Sequence, residues 1–364
     1  MKQKLTDICH PKQWKTIPVC KLRDQGYPVY GANGVIGRYH EYNHETPVIA
    51  IACRGASCGA INITVPKSYV TGNAMCLDDL QPDIDLTYLY YCLTHYNFQK
   101  VISGSAQPQI TREGLNKVEV IVHSKNKQQE IVTILGHVDK VLWARQQQLT
   151  KLDELVKSRF MEMFGEWPAN SKNWPTGQIK DIVIDVKYGS SRPSSRDGKY
   201  PYLRMNNITY SGQLDLSDIK KITIPDNELE NCSARKGDVL FNRTNSRELV
   251  GKTCVYNQEQ PMVIAGFIIR VRLNETLMSP VFLSSFLNTD FSKHMLMHKC
   301  KSAIGQANIN AQEMKNIKLY IPPLPLQQQF AAFVEKVDKS KLAVKQSLEK
   351  LETLKKSLMQ QYFG

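Results

Sequence analysis

The sequence has no apolar run long enough to cross a membrane, and its N-terminus, MKQKLTDICHPKQW, has no apolar segment typical of a secretory signal. Nine cysteines are present, but none forms a C-x-x-C pair, and the eight histidines show no ligand-like spacing with them. These absences argue against a disulfide framework and against a zinc site. We therefore expect a cytoplasmic protein with free thiols and no bound metal.

Motifs that mark an enzyme are also missing. The segment VGKT (250–253) has the end of a phosphate-binding loop, but Ser246 stands where that loop requires its first glycine. No glycine-rich turn follows a strand as a dinucleotide or methyl-donor site requires, and no Ser, His and Asp set is locally marked. Pro82-Asp83 and Pro225-Asp226 lack the following acidic-x-Lys of a metal-dependent nuclease. We predict that this chain is not an enzyme and binds no cofactor itself.

Charge is what the sequence has in excess, with a formal net charge of +13. Lysine and arginine placed on phosphates give salt-dependent affinity, so this excess favours a polyanionic partner such as nucleic acid. A generic basic surface is the alternative interpretation of the same composition.

The chain repeats itself at a shift of 199 residues. Residues 103–165 then align with 302–364 without a gap, and 15 of the 38 positions from 128 to 165 are identical. VEVIV (118–122) aligns with IKLYI (317–321), and both are short β-rich runs. A repeat of this length indicates duplication of a whole domain rather than a solenoid.

A long helix follows each of these runs. Apolar residues recur with alternating spacings of four and three from Ile131 to Met163 and from Phe330 to Tyr362, which predicts a coiled-coil seam. Each segment ends in Phe-Gly, a plausible helix stop. Two tandem copies related by a pseudo-twofold axis would pair antiparallel. The same pattern is compatible with two separate amphipathic helices, each packed on its own domain.

A larger mixed block precedes each helix, from about Trp14 to Val122 and from about Trp174 to Ile321. The two blocks share a similar order of strand-like, loop and helix-like stretches. We therefore predict an α+β fold of two heads alternating with two long helices that pair as an antiparallel coiled coil. The predicted domains are 1–122, 123–165, 166–321 and 322–364. Because the helices repeat well and the heads poorly, this pattern suits two different recognition heads on a spacer.

Each block ends in a small polar run, SGSAQPQI (103–110) and SAIGQANI (302–309). The second run is too long for a tight turn and too mixed in composition for a strand, so we predict a loop. The repeat places Gln107 and Gln306 at equivalent positions. These glutamines either face a ligand or pin each head to its helix through backbone hydrogen bonds.

This layout resembles the specificity (S) subunits of type I restriction–modification systems. The resemblance covers the whole chain and is strongest in IPPLPLQQQFAAFVEKVDK (321–339), in LEKLETLKKSLMQQYFG (348–364) and in the first copy of the same helix. PYLRMNNI (201–208) also matches a stretch common in the recognition domains of that family. The first head departs from the family by being short.

The resemblance implies a function. In such systems, two target-recognition domains each read one half of a bipartite asymmetric site in double-stranded DNA, and the helices act as a ruler between them. Two M subunits carry S-adenosylmethionine and methylate adenine, and two R subunits use ATP and Mg for translocation and cleavage. Free faces of the helices would meet the M subunits. A related type II enzyme with the same architecture, or a two-headed protein scaffold that does not bind DNA, is the alternative.

Base edges are read by arginine, asparagine, glutamine, serine and threonine. Under this interpretation, candidate DNA contacts in the first head are Tyr30, Asn33, Arg38, Arg54, Ser57 and Gln107. Those in the second head are Ser191, Arg192, Arg196, Arg204, Asn206, Asn207, Arg243, Asn245, Arg247 and Gln306. Each could instead belong to a solvated loop or a local turn, as Asn33-Gly34 does in many hairpins. Arg54 and Arg243 each follow a strand, so we expect them at matching positions of the two heads.

Overall fold

The computed structural model describes residues 1–104, 107–303 and 306–364, and only the backbone of 301–303 and 306. The chain divides into two compact units: residues 1–146 with 346–364, and residues 147–345. We call the part of each unit outside the long helices its head. All nine cysteines are free thiols. Within the described residues, no helix combines the length and apolar character needed to cross a membrane.

The first unit is a mixed α+β fold. Its strands are β1 (Lys2–Lys4), β2 (His10–Gln13), β3 (Tyr27–Gly31), β4 (Gly34–Tyr39), β5 (Ile49–Ala52), β6 (Ile61–Ile63), β7 (Tyr69–Val70), β8 (Ala74–Asp78) and β9 (Glu119–Ile121). Its helices are α1 (Leu5–Ile8), α2 (Leu86–His95), α3 (Arg112–Leu115) and the first part of the long helix α4 (Lys125–Phe164). Short 3-10 turns lie at Val19–Lys21 and Phe98–Lys100.

The second unit has the larger head. Its strands are β10 (Thr176–Gln178), β11 (Val183–Tyr188), β12 (Tyr200–Leu203), β13 (Lys220–Ile222), β14 (Ser233–Ala234), β15 (Val239–Asn242), β16 (Thr244–Asn245), β17 (Thr253–Val255), β18 (Met262–Ile264), β19 (Ile268–Leu273), β20 (Lys301–Ala303), β21 (Gln306–Asn308) and β22 (Lys318–Tyr320). Its helices are α5 (Asp226–Cys232), α6 (Pro280–Leu287), α7 (Asp290–Lys299), α8 (Ala311–Lys315) and the first part of the long helix α9 (Leu324–Phe363). Its 3-10 turns lie at Ile179–Asp181 and Met205–Asn207.

The two heads share one topology although their sequences diverge. A four-stranded sheet has the order β2-β8-β5-β6 in the first head and β11-β19-β15-β17 in the second, antiparallel throughout. A mixed sheet contains one parallel pair in each head, β3 with β7 and β12 with β18. A two-stranded ribbon, β1 with β9 or β10 with β22, leads into the long helix. The prediction of two divergent copies of one α+β domain is confirmed.

The polar run at 302–309 differs from the predicted loop. Residues of β20 and β21 pair with each other, and β21 also pairs with β16, so that Thr244 lies opposite Asn308. The strand forms because a partner strand is present, not because of local propensity. Ile304 and Gly305 lie outside the described residues, as does the side chain of Gln306.

In the first unit, the start of α4 packs against the end of α9. Lys355 Nζ lies 2.6 Å from Asp139 Oδ1, and Lys127 Nζ stands 5.7 Å from the ring centroid of Tyr362. Early residues of one helix therefore meet late residues of the other, which makes the pair antiparallel. The core of the head continues into this pair through Ile131 and Leu135, which are fully buried.

In the second unit, the end of α4 packs against the start of α9 in the same antiparallel sense. The Phe330 ring lies 5.4 Å from that of Phe160 and 5.5 Å from that of Phe164. The buried Lys341 forms an ion pair with Asp153 at 2.6 Å. Every seam position that the spacing predicted is buried or half-buried in both helices. Gly165 follows Phe164 with a φ of 78°, so the predicted helix stop is confirmed.

Candidate nucleic-acid interface

In the second head, several strands end together and bring one arginine and two exposed aromatic residues to the same edge. Tyr188 ends β11, Arg243 follows β15 and Phe267 precedes β19. The backbone N–H of Arg243 donates to the carbonyl of Phe267 at 2.9 Å, and its guanidinium stands 4.8 Å from the Tyr188 ring centroid. Tyr188 and Phe267 are 42% and 49% exposed. Such a group can stack on bases and read their edges.

The guanidinium of Arg243 is also held from a second direction. It donates to Asn308 Oδ1 at 3.0 Å, and the Arg243 carbonyl accepts from the backbone N–H of Ile309 at 2.9 Å. Both partners lie at the end of the hairpin that contains Gln306. The structure therefore brings the predicted Arg243, Asn245 and the backbone of Gln306 to one edge of the head, because β16 pairs with β21.

The corresponding edge of the first head shows that Arg54 and Arg243 are not equivalent. In the first head it is Cys53 whose N–H donates to Asn73, at 3.1 Å, and whose carbonyl accepts from Ile110, at 3.0 Å. Those two hydrogen bonds are the counterparts of the bonds made by Arg243. Arg54 pairs with Gln109 as Thr244 pairs with Asn308. The expected match is thus wrong by one residue, and side chains one residue apart along a strand point to opposite sides.

The first head also brings two of its predicted residues, Arg54 and Gln107, close together. Gly55 N–H donates to the carbonyl of Pro108 at 3.1 Å, which holds the run that contains Gln107 beside Arg54. Both Arg54 and Gln107 are exposed. No hydrogen bond joins the Gln107 side chain to another described residue, so the backbone-pin interpretation of this glutamine lacks support there.

Other predicted residues are committed to the fold. Tyr30 is 7% exposed, packs in the core of the first head and accepts the N–H of Val65 at 3.2 Å. Asn207 is 2% exposed, and its amide caps the turn at Met205–Asn207 through the N–H of Arg204 at 2.8 Å. For these two, the structure contradicts the expectation of base contact, because their polar atoms are buried and already bonded within the head.

Arg192, Arg204 and Arg38 are also bonded to protein groups. Arg192 pairs with Glu228 at 2.8 Å, and Arg204 pairs with Asp218 at 2.6 Å. Arg38 donates to the carbonyl of Gly26 at 2.9 Å. Contact with DNA by Arg192 or Arg204 would compete with a carboxylate, so these residues stay weaker candidates.

The remaining candidates lie on exposed or half-exposed turns. Arg247 donates to the Met297 carbonyl at 3.3 Å, and Asn245 accepts the N–H of Ser246 at 2.8 Å. Asn33 lies in the turn between β3 and β4, which agrees with the alternative interpretation of Asn33-Gly34 as a local turn. The others lie in surface segments of their heads: Ser57, Ser191, Arg196 and Asn206.

Lys252, in the VGKT segment, has a structural task. Its ammonium group donates to the carbonyls of Met205 at 3.1 Å and Ile208 at 2.5 Å, and burial lowers the pKa of Lys252. It therefore holds the turn that presents Asn206.

One group of possible metal ligands comes together among the described residues: His44, Cys76 and Asp78, whose ligand atoms lie within 4.8 Å of one another. Asp78 accepts the Trp14 indole N–H at 3.1 Å and faces His44 Nε2 at 3.1 Å, while His44 Nδ1 faces Asn43 Oδ1 at 2.7 Å. Burial raises the pKa of the Cys76 thiol, and a protonated thiol is a poor ligand. Hydrogen bonding within the first head accounts for His44 and Asp78, and packing in the apolar core accounts for Cys76.

Two heads of one topology, with different residues at equivalent sheet ends, alternate along the chain with two long helices that pair antiparallel within each unit. This arrangement defines a class of protein. The sequence profile of the type I restriction modification DNA specificity domain matches residues 1–153 and 171–354. The chain belongs to this family.

Individual relatives agree with that membership. A putative type I restriction enzyme MjaX specificity subunit of Methanocaldococcus jannaschii is 26% identical over 202 residues, 55% of this chain and 47% of that protein. The EcoprrI specificity subunit of Escherichia coli is 30% identical over 113 residues, 31% of this chain and 28% of that protein. The chain thus spans half or less of the length of these two relatives.

A solved structure shows the same fold. The S subunit of a type I restriction-modification system from M. genitalium superposes with a TM-score of 0.61 at 17% identity, covering 100% of this chain and 96% of that one. A second chain, from a study of complex assembly in the type I R-M system, gives a TM-score of 0.58 at 15% identity and covers 100% and 97%.

Proposed function

We propose that this chain is the DNA-reading subunit of a restriction–modification complex and that each head reads one half of a bipartite asymmetric site. The observation that carries the proposal is the pair of equivalent sheet ends with different side chains. One head presents Tyr188, Arg243 and Phe267, and the other presents Arg54, Asn73 and Gln109. Two surfaces with different donors and stacking groups suit two different half-sites.

The repeat also supports two copies of one partner. Trp143 on α4 is 67% exposed, and its equivalent on α9, Leu342, is 58% exposed. A second equivalent pair, Leu155 and Leu354, is 47% exposed at both positions. Large apolar residues exposed on the helices are typical contact points of protein interfaces. We assign these residues to two methyltransferase (M) subunits, with two restriction (R) subunits completing the assembly.

The chemistry then belongs to the partners. S-adenosylmethionine would be bound by the M subunits, and ATP with Mg by the R subunits. This chain would supply sequence recognition and the spacing between half-sites. A base to be methylated must leave the duplex, so each M subunit must lie near a head.

The test is selection of bound duplexes from a random library by this chain assembled with its M partner. The expected result is one split motif with a fixed gap. Methylation mapping of a host that carries both subunits should return the same motif. Equal binding to all sequences would overturn the proposal, and partner binding without any DNA binding would favour a scaffold.

A further inference from the structure

A concave basic pocket of about 370 Å³ opens at the sheet end of the first head. We call it the cationic pocket. It is lined by His10, Pro11, Lys12, Gln13, Arg54, Met75, Gln109, Ile110, Thr111 and Arg112. Its floor is apolar, since Pro11, Met75 and Ile110 are buried. Its walls carry cations from three separate elements, namely strand β2, the turn after β5 and helix α3.

The positive charge of the cationic pocket is not compensated locally. None of the lining residues is acidic, and within the described part of the chain Lys12, Arg54 and Arg112 form no ion pair. Lys12 instead stands 3.8 Å from the ring centroid of Trp14. Two carboxylates lie near the pocket but outside the lining set. Asp79 lies 3.2 Å from His10 Nδ1, and Asp78 accepts the indole N–H of Trp14 at 3.1 Å. An anion that enters this cavity would reduce the electrostatic repulsion among the three exposed cations that line it.

The second head lacks this feature at the equivalent place. There β11 takes the position of β2, with Lys187 in the place of Lys12, and Asn308 takes that of Gln109. Lys187 donates to Asn231 Oδ1 at 2.5 Å. Arg243 is already stacked on Tyr188 and bonded to Asn308. Tyr188 in turn accepts the backbone N–H of Ala311, which is the counterpart of Arg112, at 2.8 Å. The same corner is therefore closed by protein contacts in one head and open and cationic in the other.

We propose that the cationic pocket holds a phosphate group of the DNA backbone beside the half-site that the first head reads. The proposal rests on the proposed function and adds to it a positioning contact made by Lys12 and Arg112. Phosphate contacts set the register of a protein on DNA, while base contacts specify the sequence. Lys12 and Arg112 clamp the phosphate, and Arg54, which also lines the pocket, pairs with Gln109 in the run that contains Gln107.

The test uses the double variant Lys12→Gln, Arg112→Gln, assembled with the M partner. Affinity for the cognate duplex is measured over a series of salt concentrations. The slope of log affinity against log salt should fall by about 1, and the ratio of cognate to non-cognate affinity should stay the same. The matched control, Lys67→Gln with Lys117→Gln, removes two exposed lysines of the same unit that do not line the pocket, and its slope should stay closer to that of the unmodified chain.

Neutral methylphosphonate groups, placed at one phosphate after another, locate the contact. At one phosphate beside the first half-site, the neutral substitution should lower the affinity of the unmodified chain for the duplex. The same substitution should not lower the affinity of the double variant any further. An unchanged salt slope, or an altered base preference, would overturn the phosphate assignment. A further outcome is that inorganic phosphate stabilises the unmodified chain and not the double variant, while the salt slope for duplex binding is the same in both. That result would show that the pocket binds a free anion, and it would overturn the assignment to a DNA phosphate. An unmodified chain that prefers no sequence would overturn the proposed function instead.

Discussion

Gln128 and Gln327, 199 residues apart, bury their side chains at the start of the two long helices and make the same hydrogen bonds, each in its own unit. Gln128 Oε1 accepts the backbone N–H of Asp85 at 2.8 Å, and its Nε2 donates to the carbonyls of Asp83 at 3.1 Å and His123 at 2.9 Å. Asp85 is the N-cap of α2, so the Gln128 amide links α2 of the head to α4.

Gln327 repeats the arrangement in the second unit. Its Oε1 accepts the N–H of Ser279, the N-cap of α6, at 2.8 Å. Its Nε2 donates to the carbonyls of Pro322 at 2.7 Å and Leu277 at 3.2 Å. Gln128 and Gln327 thus pin each head to its helix, a role that the sequence left open as one of two alternatives for Gln107 and Gln306.

Substitution of either amide should therefore destabilise its unit. Gln128→Met keeps the length of the side chain but leaves an N–H and two carbonyls of the backbone without their buried partner. We expect the free energy of unfolding to fall by about 2–4 kcal/mol. Chemical denaturation measures it. The neighbouring exposed Gln129→Met is the control and should change stability by less than about 0.5 kcal/mol. Equal effects of the two would contradict this role.

The ion pair between Lys341 and Asp153 should respond unequally to loss of its two members. Lys341 is 7% exposed, while the Asp153 side chain is 42% exposed. Asp153→Asn leaves a buried cation without its closest partner and should cost about 1–3 kcal/mol. Lys341→Met fills the seam with apolar atoms and leaves Asp153 and Asp338, whose side chains are 42% and 52% exposed, to be solvated by water. It should therefore lie within about 1 kcal/mol of the unmodified chain. Denaturant midpoints measure the loss of stability in each variant, and Asp153→Asn should lose more than Lys341→Met. The reverse order would show that the attraction within the ion pair outweighs the cost of burying Lys341.

The regular parts of this fold could be predicted because their signals are local. The seam from Ile131 to Met163 follows from spacing alone, and the ends at Phe164 and Phe363 follow from the glycine after each. VEVIV and IKLYI contain β9 and β22. Strands β20 and β21 could not be predicted, because they depend on pairing with Thr244–Asn245, which lie far away in the sequence.

The site was harder to predict for the same reason. Tyr188, Arg243 and Phe267 meet because three strands end at one edge of a sheet, and nothing in the local sequence marks Tyr188 or Phe267. The one-residue mismatch of Arg54 and Arg243 becomes visible only in the hydrogen bonds of Cys53. Lys12 and Arg112 converge on a pocket from positions 100 residues apart, and the repeat has Ala311 in place of Arg112.

Lys293 should give the second unit a distinct pH dependence. Its Nζ donates to the carbonyl of Tyr210 at 2.6 Å and stands 3.6 Å from that ring centroid. Burial, with a further contribution from Lys157, lowers the pKa of Lys293 to about 8, against about 10.4 for an unfolded lysine. Between these values the unfolded chain binds a proton that the folded chain does not, so this group makes unfolding harder as pH rises.

The measurement is the difference in free energy of unfolding between the unmodified chain and Lys293→Met, followed from pH 7 to pH 10. Other groups titrate in both proteins and cancel in that difference. The difference in free energy of unfolding, unmodified chain minus Lys293→Met, should increase with pH from about pH 8. A difference that stays flat would show that Lys293 keeps its ordinary pKa in the folded chain.

Trp143 should matter for partner binding and not for folding. Its ring is 67% exposed on α4, so Trp143→Ala removes little buried area and should change stability by less than about 0.5 kcal/mol. If it anchors an M subunit, truncation should weaken that association by about 2 kcal/mol or more. Calorimetric titration with the M subunit measures this, with the exposed Gln147→Ala as control. Unchanged affinity would remove Trp143 from the interface.

Arg243 should specify one half-site and leave the other alone. Arg243→Lys keeps the positive charge but loses the planar fork that stacks on Tyr188 and bonds to Asn308. We expect discrimination at the half-site of the second head to fall by about 1–3 kcal/mol at one base pair, because bidentate base contacts are worth that much. Arg235→Lys is the matched control, since Arg235 pairs with Glu230 away from this sheet end. Competition binding with duplexes mutated in each half-site separates the outcomes. A uniform loss on all duplexes would make Arg243 a phosphate contact, and a change confined to the first half-site would reverse the assignment of the heads.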